Sequence, residues 1–125
     1  MVEEPISLHR VVLEAPAGML PVQSFPQVRY DRAELNRILA LYGRMVAAGE
    51  WRDYALDFLD EVAVFSVYRR ASEIPLFRIE KRPKLRHRQG QYSVVAAGAL
   101  ILKRGHDLAQ VLRIFDKKSL NALAD

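Results

Sequence analysis

The chain contains no cysteine among its 125 residues. This absence excludes disulfides, thiolate catalysis and cysteine-ligated metal sites, and it fits the reducing conditions of the cytoplasm. A long hydrophobic run is missing too. The longest apolar stretch covers residues 94–102 and is interrupted by Gly98, whereas a membrane-spanning helix needs about 20 apolar residues. The first four residues, MVEE, lack the positive charge that begins a signal peptide. We therefore expect a cytoplasmic protein that does not interact with membranes.

The composition is that of a globular protein with a single domain. Hydrophobic residues make up 50% of the chain and charged residues 27%, which excludes an intrinsically disordered chain. Four prolines within the first 29 residues break any long element there. We predict an extended or partly ordered arm over residues 1–29, one domain over residues 30–118 and a frayed tail over residues 119–125.

Two helices are predicted from apolar residues at helical spacing. Asp31 and Glu34 form the pattern of a capping box before a helix over residues 32–48, and Asp107 and Gln110 form a second such pattern. The expected apolar face of the first helix consists of Leu35, Ile38, Leu39, Tyr42, Met45 and Val46. The expected buried stripe of the second helix consists of Leu108, Val111, Leu112 and Phe115.

Alternation at period two predicts about five strands between these helices, joined as an antiparallel meander. The fold class is therefore α+β: an N-terminal helix, a sheet and a C-terminal helix. A two-residue turn at Asp60-Glu61 and the length of the next loop fix two registers, whereas the hairpin over residues 91–104 is apolar on both faces and its register stays open. The predicted neighbours are Phe58–Ala63, Leu56–Phe65, Tyr54–Val67, Ile79–Val67 and Phe77–Arg69.

Positive charge is concentrated in the second half of the chain. The formal net charge is +4, with −3 in residues 1–60 and +7 in residues 61–125, and such asymmetry favours an anionic partner. A loop over residues 81–90 carries five Lys or Arg side chains and no acidic one. The candidate anion-binding residues are Lys81, Arg82, Lys84, Arg86, His87 and Arg88 of this loop, with Arg69, Arg70, Lys103 and Arg104 at the ends of neighbouring strands.

Nucleic acid is one candidate for the anionic partner. The loop could neutralise phosphates in a salt-dependent manner, and Tyr68, Phe77 or Tyr92 could stack on single-stranded bases. The aromatic pattern of the common RNA-recognition sheet and a helix-turn-helix are both missing. The structural alternative is a solvated loop whose charge prevents association between sheet edges.

No catalytic or metal-binding constellation is recognisable. The histidines, His9, His87 and His106, are widely separated and lack metal-ligand spacing. Asp53 and Asp57 share a strand face but lie about 13 Å apart, at 3.3 Å per residue, which is too far for one metal ion. A P-loop, a dinucleotide fingerprint and an activated serine are absent. We expect no cofactor and no metal, and only an unfamiliar site would make this chain an enzyme.

Four segments of the chain resemble a known family. They are YGRMVAAGEWRDYA (42–55), AVFSVYRRASE (63–73), RIEKRPK (78–84) and ILKRGHDL (101–108). They are similar to a family of small bacterial proteins catalogued as domain of unknown function 2794, and the resemblance runs from about Val28 to Phe115. The resemblance implies one compact domain of bacterial, cytoplasmic origin. It transfers no catalytic or binding residue, because the family has no established activity.

The function expected from the sequence is that of a non-enzymatic binding module whose basic loop meets an anionic partner. The alternative is a protein–protein interaction or self-associating domain. The hairpin over residues 91–104 motivates this alternative, because a sheet face that the helices leave uncovered would need a partner such as a second copy of the chain.

Overall fold

The computed structural model describes residues 27–69 and 74–116. Most of the predicted N-terminal arm, the tail over residues 119–125 and the candidate residue Arg70 lie outside these segments. The strands form one antiparallel sheet in sequential order, so the predicted α+β fold with a meander sheet is confirmed. The elements are helix α1 (Arg32–Ala47), strands β1 (Asp53–Phe58), β2 (Ala63–Tyr68), β3 (Phe77–Lys81), β4 (Tyr92–Ala96) and β5 (Leu100–Gly105), and helix α2 (Leu108–Leu112).

The register of β1 and β2 is the predicted one. Phe58 lies opposite Ala63, and the other two predicted pairs are also present. The Leu59 N–H donates to the Val62 carbonyl at 2.9 Å, which leaves Asp60 and Glu61 as the two turn residues. Because a two-residue connection leaves little freedom in pairing, the turn and the apolar alternation specify the same register.

The predicted register of β3 is wrong by two residues. Ile79 pairs with Phe65 instead of Val67, and Phe77 pairs with Val67 instead of Arg69. A shift of two residues leaves every side chain on its predicted face, because the side-chain period of a strand is two. The alternation of apolar residues therefore could not detect the error.

The sequence left the register of β4 and β5 open. The structure shows their pairing, which contains one irregularity in the middle. Ser93 faces Arg104 and Val95 faces Ile101, with a register shift between Val94 and Val95. The predicted turn residues Gly98 and Ala99 both have positive φ, 77° and 62°, which is the backbone that tight hairpin turns require.

Helix α1 packs on the core with most, but not all, of the expected apolar face, since Leu35, Ile38, Tyr42 and Met45 belong to the core cluster or pack against it. Leu39 and Val46 are 37% and 41% exposed, whereas Leu41, which was not predicted, is 2% exposed. Ile38 and Met45 are buried as expected. The buried stripe follows positions 34, 38, 41 and 45, so the helix is rotated toward Leu41 and its apolar residues extend beyond the contact with the sheet.

Both helices pack on one face of the sheet. Their apolar stripes share a core cluster with Phe65, Ile79 and Val94, and the predicted stripe of α2 is buried. Helix α2 is short, and its cap residue Asp107 accepts the N–H of Ala109 instead of that of Gln110. Within the described segments, the helices are too short or too polar to cross a bilayer.

The carboxylate of Glu34 connects the start of α1 to the sheet. Oε1 accepts the N–H of Asp31 at 2.7 Å and Nζ of Lys81 at 2.8 Å, and Oε2 accepts the hydroxyl of Tyr92. Asp31 Oδ1 in turn accepts the Glu34 N–H, which confirms the predicted capping box. Since Lys81 lies on β3 and Tyr92 on β4, one carboxylate holds a helix end against two strands.

This network is buried. The side chains of Glu34 and Lys81 are 10% and 15% exposed, and Lys81 Nζ also donates to the Arg29 carbonyl at 2.8 Å. Burial, followed by the hydrogen bond to Glu34, raises the pKa of Tyr92 above its ordinary value. Burial also raises the pKa of Tyr30, whose hydroxyl donates to the Ile79 carbonyl at 2.6 Å. Both phenols therefore stay protonated as hydrogen-bond donors.

We expect Glu34→Gln to destabilise the protein by about 3 kcal/mol, because it leaves the Lys81 ammonium buried without a counter-charge. Adding Lys81→Met should restore more than half of the loss. Urea denaturation of both variants measures the effect. Glu61→Gln is the matched control, since it breaks the exposed pair between Glu61 and Lys84 and should cost less than about 1 kcal/mol. Equal losses for Glu34→Gln and Glu61→Gln would contradict the assigned role.

Candidate anion-binding surface

The basic loop is a chain of tight turns. Pro83 begins a 3-10 turn (Pro83–Leu85), which suits a residue that has no N–H to donate to a strand ladder. The Arg82 N–H donates to the Gln91 carbonyl at 2.6 Å, and the N–H groups of Arg88 and Gly90 both donate to the Leu85 carbonyl. Because these bonds fix the loop backbone, the cationic side chains project from a defined frame.

Gly90 ends this frame and packs closely against the backbone of Gly105. Its φ is +100°, and a Cβ added there would lie 2.3 Å from the carbonyl carbon of Gly105. Any larger residue would clash with the backbone at the end of β5 and would also be strained by the positive φ. The loop is therefore packed directly against the strand that carries Lys103 and Arg104.

Lys81 is the least exposed of the loop cations, with 15% of its side chain exposed. It is the last residue of β3 and lies on the core face, where it pairs with Glu34. Its ammonium group is occupied by a carboxylate and a carbonyl inside the protein. The structure thus separates Lys81 from the other loop cations.

Arg82 lies on the opposite face of the sheet and shares a carboxylate with Arg78. Nε of Arg82 and Nε of Arg78 each lie 3.2 Å from an oxygen of Glu80. Glu80 is buried, while both arginines are partly exposed. Two guanidinium groups and one carboxylate leave a net charge of +1 at this position.

The residues after Pro83 point into solvent. Lys84 Nζ lies 3.0 Å from Glu61 Oε2, and both side chains are mostly exposed, so this ion pair is weak. Nε of Arg86 donates to Nε2 of His87 at 3.3 Å, and both side chains are exposed. Arg88 is exposed and takes part in none of the ion pairs within the described segments.

These side chains surround a cleft between the basic loop and the β1–β2 turn. Its volume is about 500 Å³. We call it the basic cleft, and it is lined by Glu61, Arg82, Lys84, Leu85 and Arg88. Three cations face a single carboxylate, so the cleft can hold an anion through charge-assisted hydrogen bonds.

The candidates at the strand ends separate into two groups. Arg104 NH1 donates to the side-chain oxygen of Gln89, so Arg104 adjoins the loop, and Lys103 is exposed beside it. Arg69 follows the far end of β2, six residues beyond Ala63, which pairs with Lys81. This places Arg69 about 20 Å from the loop at 3.3 Å per residue, where it contacts Glu50 at 3.4 Å.

Two partners of the site were not foreseen from the sequence. Glu80 neutralises part of the charge of Arg78 and Arg82. Because residues 78, 80 and 82 alternate onto one face, the sequence contained a local signal for this contact. Glu61 reaches Lys84 across 23 residues, a contact that no local pattern encodes. Within the described residues, no group of three His, Asp or Glu side chains has the arrangement of a metal site.

A comparison with protein families gives one match, and it agrees with the resemblance seen in the sequence. The model described as "Protein of unknown function (DUF2794)" matches residues 28–112, which is more than half of the chain. Neither the comparison with curated proteins nor the one with solved structures gave a match.

We expect Gly90→Ala to lower the free energy of unfolding by at least about 2 kcal/mol, because it combines a strained φ with a clash against Gly105. Chemical denaturation measures this loss. Gly43→Ala is the matched control, because Gly43 lies within helix α1 and a Cβ added there meets no atom within 4 Å. It should stabilise the protein by up to about 1 kcal/mol. Equal stability of the two variants would show that the loop is not held as described.

Proposed function

Starting from the finding that the chain belongs to the DUF2794 family of proteins of unknown function, we propose that it is a cytoplasmic, non-enzymatic binding module that holds a phosphate-bearing partner in the basic cleft. The observation that carries this proposal is the composition of the cleft: Arg82, Lys84 and Arg88 line it with Glu61 as the one carboxylate of the lining, while Arg82 also contacts Glu80. A phosphate group offers three acceptor oxygens and a charge that complements this excess of cations.

The three cations contribute in different ways. Arg88 lies in none of the ion pairs formed by the described residues and is ready to bind. Lys84 is held only by an exposed ion pair with Glu61, which a phosphate group can displace at little cost. Arg82 contacts Glu80 through Nε, and its terminal Nη groups are the donors that would face a ligand.

Two of the three aromatic residues expected to stack on bases pack inside the protein, and the third, Tyr68, is partly exposed but ends β2 five residues beyond Ala63, which pairs with Lys81; this arrangement favours recognition of phosphates over recognition of bases. Tyr92 is buried and donates to Glu34. Phe77 packs against Trp51 and Phe115, with ring centroids 6.4 and 5.0 Å away. Neither ring can stack on a base without leaving the core. Nucleic acid remains within this proposal as a source of phosphates, read through its backbone.

We expect the protein to bind a short fluorescein-labelled oligothymidylate, measured by fluorescence anisotropy at increasing salt. The double variant Lys84→Ser/Arg88→Ser should bind about tenfold more weakly. The slope of log Kobs against log salt should become shallower by about 1.4, at 0.7 per lost contact to a single strand. Both side chains are exposed, so the fold should persist, which circular dichroism checks.

The matched control is Arg32→Ser/Arg52→Ser, which removes two exposed arginines that lie outside the basic cleft. It lowers the net charge by the same amount and should keep the wild-type salt slope. The proposal is wrong if both double variants lose the same affinity, because net charge alone would then explain binding. It is also wrong if the wild-type protein does not bind at low salt.

A second candidate function, self-association, is favoured by the exposed edge of the sheet. β5 is an edge strand in the described sheet, and Leu100 and Ile101 on it are 60% and 47% exposed. An edge strand with exposed apolar side chains pairs readily with another strand. A second copy of the chain could add its own β5 in antiparallel orientation, centred on Ile101, so that residues 100–102 of the two strands lie opposite each other.

In this second case, light scattering coupled to size exclusion should give a mass that rises from 14.3 kDa toward twice that value as concentration increases. Ile101→Lys should hold the protein at the monomer mass, because it places a charge on the edge. Leu59→Lys is the control, since Leu59 is 49% exposed but lies in the β1–β2 turn. A constant monomer mass for the wild-type chain would exclude this candidate.

A further inference from the structure

A second positively charged concavity lies on the helical side of the molecule, between α1 and the α2 region. Its volume is about 640 Å³. We call it the helix groove. The arginines that line it are Arg37 and Arg44 of α1 and Arg113, which directly follows α2. It shares no residue with the basic cleft, so whatever binds here is independent of the function proposed above.

The apolar part of the helix groove, which we call the alanine floor, consists of small side chains, and Asn36 and Gln110 also line the groove. Ala33 and Ala40 of α1 and Ala109 of α2 line it, above the buried Leu41 and Leu112. Alanine side chains let another backbone approach closely, and their methyl groups give it an apolar contact. A nucleic-acid backbone gains nothing from such a floor, whereas a helix with a small apolar stripe does.

The charge of the groove is strongly positive. Three arginines face one carboxylate, that of Asp116. The ion pairs formed within residues 27–69 and 74–116 include none of the three arginines, and all three side chains are exposed. Guanidinium groups bind carboxylates as a two-pronged fork, so the groove is complementary to a partner that carries several carboxylates.

The spacing of the arginines indicates the shape of that partner. Arg37 and Arg44 are seven residues apart in α1, which places them on one face about 10.5 Å apart along the helix axis. Ala33 and Ala40 repeat with the same interval. A helix lying along α1 would present carboxylates with the same repeat if it carried Glu or Asp at positions i and i+7.

We propose that the helix groove binds an acidic amphipathic helix of a partner protein. In this arrangement a stripe of small apolar residues on the partner helix contacts the alanine floor. Carboxylates on its two flanks pair with Arg37 and Arg44 on one side and with Arg113 on the other. The partner helix binds in the groove through its apolar stripe, and the pairing of carboxylates with arginines determines which helices bind.

The probe is a synthetic alanine-rich helical peptide with glutamates at seven-residue intervals on one flank and one glutamate on the other. Titrated into the ¹⁵N-labelled full chain, it should shift amide signals of residues 33–44 and 109–116. Arg37→Gln/Arg44→Gln should weaken binding about tenfold, the effect of losing two exposed charge pairs. The matched control Arg32→Gln/Arg52→Gln removes two exposed arginines outside the groove and should bind as the wild type does.

Four outcomes would overturn the proposal. The first is equal binding of the same peptide with glutamine in place of glutamate, and the second is an equal loss for the control variant. The third is signal shifts confined to residues 82–88, which would assign the peptide to the basic cleft. The fourth is a wild-type dimer that Arg37→Gln/Arg44→Gln dissociates, which would make the groove an interface between copies of this chain.

Discussion

The buried ion pair between Glu34 and Lys81 is the constraint on which the rest of the structure depends. Lys81 ends β3 on the core face, and an ammonium group there would cost several kcal/mol without a partner. Glu34 supplies that partner only if the first turn of α1 lies over β3 and β4, where Tyr92 donates to the same carboxylate. The pair therefore fixes where the helix begins on the sheet.

The same strand geometry decides which cations are available for function. Along β3 the side chains alternate, so Lys81 points into the core while Arg78, Glu80 and Arg82 share the other face, where Glu80 offsets one of the two positive charges. Pro83 ends this alternation and begins the turns that carry Lys84, Arg86 and Arg88 into solvent. The basic segment looks uniform in sequence, yet Pro83 divides it into a structural part and a surface part.

The sequence predicted the structure correctly where its pattern is compatible with a single strand register. The first hairpin was predicted residue by residue, because a two-residue turn and an apolar alternation agree on a single register. The register of β3 was predicted wrongly, because a shift of two residues leaves every side chain on the same face of the sheet. Leu39 and Leu41 are equally apolar, and only the position of the sheet decides that Leu41 is buried. The basic cleft was predicted in part, because its cations are adjacent in sequence, whereas Glu61 comes from a turn that precedes them by more than 20 residues.

The net charge of +4 is a poor guide to where an anion binds. At physiological ionic strength charges are screened over about 8 Å, so a ligand responds mainly to the cations it touches. Lys81 is as positive as Arg88, but the carboxylate of Glu34 already neutralises it. What distinguishes the basic cleft and the helix groove from the rest of the surface is that their arginines outnumber the carboxylates beside them. The local balance of charge, set by the fold, therefore selects these two surfaces, and Arg37 and Arg44 of the helix groove come from the half of the chain whose net charge is −3.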